Sequence, residues 1–520
     1  MLDRHPTGAP RIVVIGAGIG GLVAALLLSH AGFEVTIVEK SARPGGKVRT
    51  IEAGGLPVDS GPTVLTMKPV FDAIFETVGA RLADHVRLMR AEILARHEWP
   101  DGSMLDLFVD TDRTVDAIGT LAGNVDAAGY RRFAARSAEV FATLDRSFMQ
   151  ETEPGIGKLI AQSGLGGLPA LARIQAFSTL WSVLGGYFRD PRLRQLFGRY
   201  ATYCGSSPFA APGPLMLVAD AEKQGVWLAR DGMIALPEAI AELARREGAR
   251  FLFGQEVERV NISEGRVVGI RTANGSEIGA EAVLFNGDPT ALGIGLLGDR
   301  ARAAAAAWPR SRRSLSALTL SLAARARDFP LVRHNVFFSA DYRAEFDAIF
   351  AHGRLPEDPT IYLCAQDRDD RGRRLGDTSR ERLFMIVNAP ATGDAGNPTP
   401  REIERCIERI MQRLSEAGLK LEIDPGAMVA TDPKAFHRLF PGTGGALYGR
   451  SSHGWMASFQ RPTARTRIPG LYLAGGATHP GPGLPMAALS GRHAARMILQ
   501  DCASTARYHT VAMPGGMSTR

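Results

Sequence analysis

Apolar and polar positions along the chain set out strands and helices in a repeating order. Ile12-Val13-Val14-Ile15 is a short, wholly apolar run, which predicts a strand buried on both faces. Leu22 to Ala31 reads as the helix after it, and Glu34-Val35-Thr36-Ile37-Val38 as a second strand. A loop and a helix carry this segment to about His97, and Pro100-Asp101-Gly102 sits in a turn between two further strands. Amphipathic helices are predicted from Thr111 to about Tyr200, then a short strand at Trp227 to Arg230 and a helix from Gly232 to Arg246. Phe251 to Val260 and Arg266 to Thr272 alternate like a strand pair, and Ala282-Val283-Leu284-Phe285 is another buried run. From Ala301 to about Val429 the pattern changes. Strands are predicted at Ser314 to Leu322, Asn335 to Phe338, Thr360 to Ala365 and Leu383 to Val387, followed by a long helix from Pro400 to Ala417. A strand around Leu471-Tyr472-Leu473 and a helix from Ala487 to Leu499 close the pattern.

The turn after the first strand carries the chemistry. Gly16, Gly18 and Gly21 fall at the G-x-G-x-x-G positions of a dinucleotide fold. The first allows the tight turn, the second lets a diphosphate approach the backbone, and the third lets helix and strand pack closely. The second strand ends at Glu39, where a carboxylate can accept hydrogen bonds from both ribose hydroxyls. A second glycine pair follows in Arg43-Pro44-Gly45-Gly46-Lys47, and then Asp59-Ser60-Gly61-Pro62-Thr63. Each alone is an ordinary turn. Beside the first motif they favour FAD over a nicotinamide cofactor, because FAD extends further and the chain must skirt its diphosphate and ring. Near the C-terminus, Leu473-Ala474-Gly475-Gly476 leads through Ala477-Thr478-His479-Pro480-Gly481 to Pro485-Met486 and a helix, a second strand–turn–helix whose amides suit a phosphate or a flavin edge. The expected architecture is α/β: an FAD-binding Rossmann domain built from 1–100, 221–300 and 430–500, interleaved with an α+β substrate domain of 101–220 and 301–429. Residues 507–520 are expected to form a disordered tail.

With 520 residues, 45% hydrophobic and 22% charged, the composition is globular. The net charge of +7, carried mostly by arginine, mildly favours an anionic surface. No basic stripe is interleaved with aromatics, so no nucleic-acid partner is expected. The four cysteines lack metal or redox spacing, and the histidines form no ligand pattern, so no metal site is expected. The first apolar stretch is the nucleotide unit itself, which argues against a signal peptide, and no run of about 20 apolar residues predicts a spanning helix.

These motifs support a family resemblance. Gly16 to Gly21 with Glu39, the Arg43 to Lys47 turn, and Leu473 to Gly481 resemble the bacterial-type phytoene desaturases, a carotenoid branch of the glutathione-reductase-2 flavoproteins, from Arg11 to about Gln500. Asp59 to Met67, Gly129-Tyr130-Arg131-Arg132-Phe133 and Ala201 to Pro208 resemble, more narrowly, the 1-hydroxycarotenoid 3,4-desaturases. The resemblance implies FAD contacts at Glu39, Lys47, Thr63, Val64, Val257, Asn286, Gly475 and Met486, with Gly46 and Gly476 in the same turns. It implies a C3–C4 double bond introduced into 1-hydroxy or 1-methoxy carotenoids such as 1-hydroxyneurosporene, at the cytoplasmic face of a membrane, with the electron acceptor undetermined. The alternatives are a phytoene desaturase acting earlier in the pathway, another flavoenzyme of the amine oxidase kind, and a flavin-free prenyl-binding escort.

No catalytic side chain stands out in the sequence. His479 can play a proton role or a structural one. Arg131 and Arg132 with Tyr130 can meet the polar end of the substrate or lie on a helix surface. Tyr203 and Ser206 can bind its hydroxyl or form a polar turn. Ile156 to Phe197 mixes large apolar residues with Lys158, Arg173, Arg189, Arg192 and Arg194, which suits either a lipid interface or helices packed in the second domain.

Overall fold

The computed structural model describes residues 9–155, 175–376 and 379–509, with side chains through 503. Three distant parts of the sequence meet in one parallel sheet of five strands, in the order Leu471–Leu473, Ala282–Phe285, Arg11–Ile15, Glu34–Glu39 and Arg250–Phe253. Their apolar runs are buried on both faces, as a parallel sheet with covered faces requires. Helix Ile19–His30 is buried along most of its length, packed against both Ala235–Arg246 and the terminal helix Leu484–His509. The approach to the terminal helix is so close that a Cβ on Gly491 would lie 2.1 Å from the carbonyl oxygen of Gly20.

A second sheet has seven strands, in the order Lys420–Thr431, Ser316–Arg327, Glu381–Ala389, Ile361–Ala365, His334–Phe337, Ile93–Glu98 and Met104–Phe108. All neighbours are antiparallel except the parallel pair His334–Phe337 and Ile93–Glu98. Strand alternation divides its faces. Leu318, Leu320, Leu363 and Met385 pack with Cys406, Ile410 and Leu414 of helix Pro400–Glu416. That helix starts sharply, with Pro400 at its first position and a reciprocal capping box between Thr399 and Glu402. The alternate residues, among them Thr319, Tyr362, Phe384, Ile386 and Asn388, face a large cavity.

Several elements differ from the sequence pattern. Phe251 to Val260 is two strands, because Gly254 turns the chain with φ +68°. Arg250–Phe253 joins the parallel sheet, while Val257–Ser263 pairs with Arg266–Thr272 in a separate three-stranded antiparallel sheet. Residues 93–98, expected with the nucleotide-binding segments, lie in the seven-stranded sheet, because their ladder partners are His334–Phe337 and Met104–Phe108. The last helix begins at Leu484 rather than Ala487 and continues to His509, past the expected start of a tail; residues 510–520 lie outside those described. Within Ile156 to Phe197, residues 156–174 also lie outside. In the remainder Leu180, Leu184, Phe188, Leu193 and Phe197 are core residues, so the packed-helix reading holds there. None of the described helices is long and apolar enough to cross a membrane.

Candidate active site

One cavity of about 940 Å³ runs from the glycine turn of the parallel sheet to the open face of the seven-stranded sheet. At its first end the three glycines divide their work. Gly18 borders the cavity, and a Cβ there would meet only the Asn286 amide, at 3.0 Å. Gly21 stands behind, where a Cβ would sit 2.3 Å from the Gly16 carbonyl oxygen; it closes helix against strand and does not line the cavity. Gly16 takes φ +98°, the left-handed region in which a side chain is strained.

Glu39 is buried, and its two carboxylate oxygens accept the backbone N–H of Ala17 at 2.7 Å and of Ser41 at 2.8 Å. These bonds fix the carboxylate at the cavity edge, with lone pairs left for further donors. The Arg43 to Lys47 turn lies across the glycine turn. Gly45 N–H donates to the Ala17 carbonyl at 2.8 Å, and a Cβ on Gly46 (φ +60°) would lie 3.1 Å from Gly18 Cα. The Lys47 ammonium donates to the Leu447 carbonyl. Burial pushes its pKa down to about 8, against the pull of Asp288 and with the repulsion of Arg461.

Asn286 joins this end to the C-terminal turn. Its backbone N–H donates to Ile15 and its Nδ2 donates to the Gly16 carbonyl at 3.1 Å. Gly20 and Gly475 crowd its Oδ1, each with room for no Cβ (2.8 and 2.9 Å). Gly475, Gly476 and Met486 border the cavity, as do Thr63, Val64 and Val257. Every residue implied by the resemblance therefore lines one space, apart from the packing glycine Gly21.

The ambiguous candidates separate cleanly. His479 is buried outside the cavity; its Nε2 donates to the Glu151 carbonyl at 2.9 Å, and its ring stacks on His493 and meets the Phe148 edge. Burial and His493 push its pKa down to about 4. It ties the turn to the segment beneath it, a structural role. Arg131 is exposed and paired with Asp112 at 2.6 Å, while Tyr130 stacks on Phe197 away from the cavity. Ser206 accepts the Ser452 N–H and donates to the Cys204 carbonyl, a polar turn. Tyr203 does face the cavity.

Residues missing from the sequence reading surround Tyr203. Tyr200 and Tyr203 donate to the two oxygens of buried Glu222 at 2.8 and 2.6 Å, and Arg199 lies over the rings of Tyr203 and Tyr362 at 5.5 and 5.4 Å. Burial raises the Glu222 carboxyl above its ordinary range, opposed by the two tyrosines and Arg199. Beside them Thr63 Oγ1 lies 2.5 Å from Tyr362 Oη, which lies 2.7 Å from His334 Nδ1. The even spacing of Thr360 and Tyr362, and of Phe384, Ile386 and Asn388, was a signal for a shared face, although nothing local says that a cavity adjoins it.

A parallel sheet with a glycine cradle and a carboxylate at the second strand end defines a dinucleotide-binding protein, and the space beyond the cradle defines one that also takes a second, largely apolar ligand. Residues 19–499 match the family model described as flavin containing amine oxidoreductase. The chain is 48% identical to the hydroxyneurosporene desaturase of Rubrivivax gelatinosus, over 99% of this chain and 98% of that one. It is 46% identical to the protein of that name from Cereibacter sphaeroides, over 96% and 99%. The cyclohexylamine oxidase of Brevibacterium oxydans has the same fold, with a TM-score of 0.57, 15% identity, and 95% and 100% coverage. The chain belongs to the flavin-containing amine oxidoreductase family and is an FAD-dependent oxidoreductase. The cradle fits that cofactor: no side chain occupies the diphosphate approach at Gly18, and a fixed carboxylate stands where the ribose of a bound nucleotide is expected.

Proposed function

We propose that this protein is a carotenoid desaturase that introduces the C3–C4 double bond into 1-hydroxy (or 1-methoxy) 1,2-dihydro carotenoids such as 1-hydroxyneurosporene. The observation that carries this reading is one continuous cavity lined both by the nucleotide cradle and by the apolar residues Phe384, Ile386, Leu196 and Leu215. Near-full-length similarity to hydroxyneurosporene desaturases supports the substrate.

When bound, FAD supplies the two-electron acceptor for removal of hydrogen from adjacent carbons. The chain does the rest. Glu39 takes the ribose hydroxyls with the lone pairs that Ala17 and Ser41 leave free. Gly16, Gly18, Gly46 and Lys47 would hold the diphosphate, the Lys47 ammonium supplying the positive charge. Val257 would offer its backbone to the adenine edge, Asn286 would stand at the nucleotide side, and Gly475 and Met486 would flank the flavin, with Thr63, Val64 and Gly476 on the same cavity wall.

The polyene comes from a membrane, which the protein meets at its cytoplasmic surface. Phe177 and Trp455, 56% and 39% exposed, pair at 5.2 Å, and Trp455 also borders the cavity. An exposed aromatic pair at a cavity edge suits insertion at a lipid interface.

Anaerobic mixing of the holoenzyme with 1-hydroxyneurosporene in liposomes tests the chemistry. The expected result is bleaching of the flavin band in step with product formation, slowed by deuterium at C4. Bleaching with no isotope effect would contradict hydrogen removal from that carbon, and no bleaching would contradict the reading.

A further inference from the structure

A patch of exposed and half-buried aromatic rings lies where the cavity wall meets the surface. Trp455 touches both, bordering the cavity while 39% exposed, and its ring lies 5.2 Å from that of Phe177. The loop carrying Trp455 is fastened to the chain around Phe209. Gly454 N–H donates to the Ala210 carbonyl at 3.0 Å, and His453 Nε2 accepts the Ser207 N–H at 3.0 Å. Thr179 and Pro212 pair in a β-bridge, which brings the Phe177 segment to the same place. Phe209 is itself half-buried.

Cations stand among these rings. The exposed Arg343 guanidinium lies over the Phe209 ring, 4.0 Å from its centroid. Arg312, also exposed, is held to the Trp455 loop, its carbonyl accepting the Ser451 N–H at 2.8 Å. Burial and the Arg312 charge push the His453 pKa down to about 4, so the arginines and not the histidine carry the charge at neutral pH. Arg450, buried against the Trp308 ring at 4.4 Å, adds a third charge to the local potential. Among the described residues no carboxylate pairs with Arg312 or Arg343. Asp341 caps its own helix, Tyr342–Phe350, accepting the Arg343 and Ala344 N–H groups at 3.0 Å each. Arg310 differs from its neighbour, since Asp394 lies 3.5 Å away.

Open aromatic rings suit the headgroup layer of a bilayer, and unpaired arginines at the same level suit its phosphates. A guanidinium resting on a ring still has N–H groups to give to phosphate oxygens. An acidic protein would match the charge, but it would leave unexplained why the exposed tryptophan also borders the cavity.

We propose that this patch docks the protein on anionic bilayers, with Trp455 and Phe177 entering the headgroup layer and Arg312 and Arg343 binding lipid phosphates. This rests on the reading above that the substrate comes from a membrane, and adds to it the lipid class and the residues that select it. Docking on this face sets the cavity edge at Trp455 against the lipid that holds the polyene.

The test measures partition of FAD-loaded protein onto vesicles of phosphatidylcholine, alone or with about a third phosphatidylglycerol. Wild type is expected to prefer the anionic vesicles and to lose the preference as salt is raised. Arg312→Gln with Arg343→Gln should lower partition onto anionic vesicles about 10- to 30-fold, roughly fivefold per arginine, and leave phosphatidylcholine within about twofold. Trp455→Ser should weaken binding to both vesicles alike. Arg245→Gln with Arg246→Gln removes the same net charge from helix Ala235–Arg246 and should change partition less than about twofold. Equal partition of wild type onto the two vesicles would overturn the proposal, as would wild-type partition by the Arg312/Arg343 variant. So would equal losses in the two double variants, the mark of net charge and not of this patch. Sedimentation of a wild-type dimer that dissociates in the Arg312/Arg343 variant would give the patch to a second copy and overturn it too. Wild type absent from every vesicle would overturn the membrane reading itself, a result distinct from binding without lipid selectivity.

Discussion

Asn286 donates through Nδ2 to the Gly16 carbonyl at 3.1 Å, so the end of strand Ala282–Phe285 is tied directly to the turn after strand Arg11–Ile15. Gly20 and Gly475 close around its Oδ1, which brings the C-terminal turn into the same knot. Three segments separated by nearly the whole chain thus converge on one amide. Asn286→Leu keeps the side chain's approximate bulk and removes that tie. It should cost about 1–3 kcal/mol of flavin affinity, the usual result of leaving a buried carbonyl unpaired. Flavin-to-protein absorbance ratios after dialysis, and titration of the apoprotein with FAD, check this.

Two glycine substitutions should fail in different ways. In Gly21→Ala the new methyl meets the Gly16 carbonyl at 2.3 Å, a backbone atom that cannot yield cheaply, so the apoprotein should lose at least about 2 kcal/mol of stability. In Gly18→Ala the methyl enters the cavity and touches only an amide nitrogen at 3.0 Å, so the apoprotein should melt near the wild-type temperature and fail to retain flavin. Thermal melts of both apoproteins, set beside FAD titrations, separate the two effects.

That division was legible in the sequence because the dinucleotide motif is local. Strand, turn and helix follow one another, and the role of each glycine depends on neighbours within a few residues. Asn286 was placed correctly at a strand end for the same reason, although its hydrogen bond to Gly16 was not. The polar cluster was not legible. Thr63, Arg199, Glu222, His334 and Tyr362 come from five segments, and only the ladder pairing of His334–Phe337 with Ile361–Ala365 brings the last two together. Gly254 misled the reading of Phe251 to Val260, since alternation continues across a turn whose two sides belong to different sheets. His479 is the opposite case. Its motif marked it as notable, but only the carbonyl of Glu151, remote in sequence, shows that it holds the turn in place.

Buried neutral histidines should make the protein acid-sensitive. The pKa of His479 and of His493 is pushed down to about 4 by burial, and that of His97 to about 3. Above pH ~6.5 the imidazoles are neutral in folded and unfolded chains alike and add no pH dependence. As pH falls from about 6.5 to 4, only the unfolded chain takes up these protons, so stability falls. His479 by itself should account for a loss on the order of 2–3 kcal/mol at pH 4. Urea unfolding between pH 7 and 4.5 should show the decline, and His479→Gln should make it shallower.

Arginine and tyrosine candidates should respond in opposite ways. Arg131→Ala removes an exposed ion pair with Asp112, and should change stability by less than about 0.5 kcal/mol and leave turnover within about twofold. Tyr203→Phe breaks a 2.6 Å bond to buried Glu222 at the cavity wall. It should lower kcat/KM about tenfold or more, because a buried carboxyl loses one of its donors beside the substrate. Steady-state assays of both variants in the same liposomes decide between a cavity-wall site and a helix-surface site for the polar end.

The most direct measurement is the product spectrum of membranes containing this protein, fed separately with 1-hydroxyneurosporene and phytoene and resolved by chromatography. A product from the hydroxylated substrate with one more conjugated double bond and a red-shifted spectrum, together with unchanged phytoene, is the predicted result. Conversion of phytoene while 1-hydroxyneurosporene stays unchanged would contradict the assignment of the C3–C4 bond.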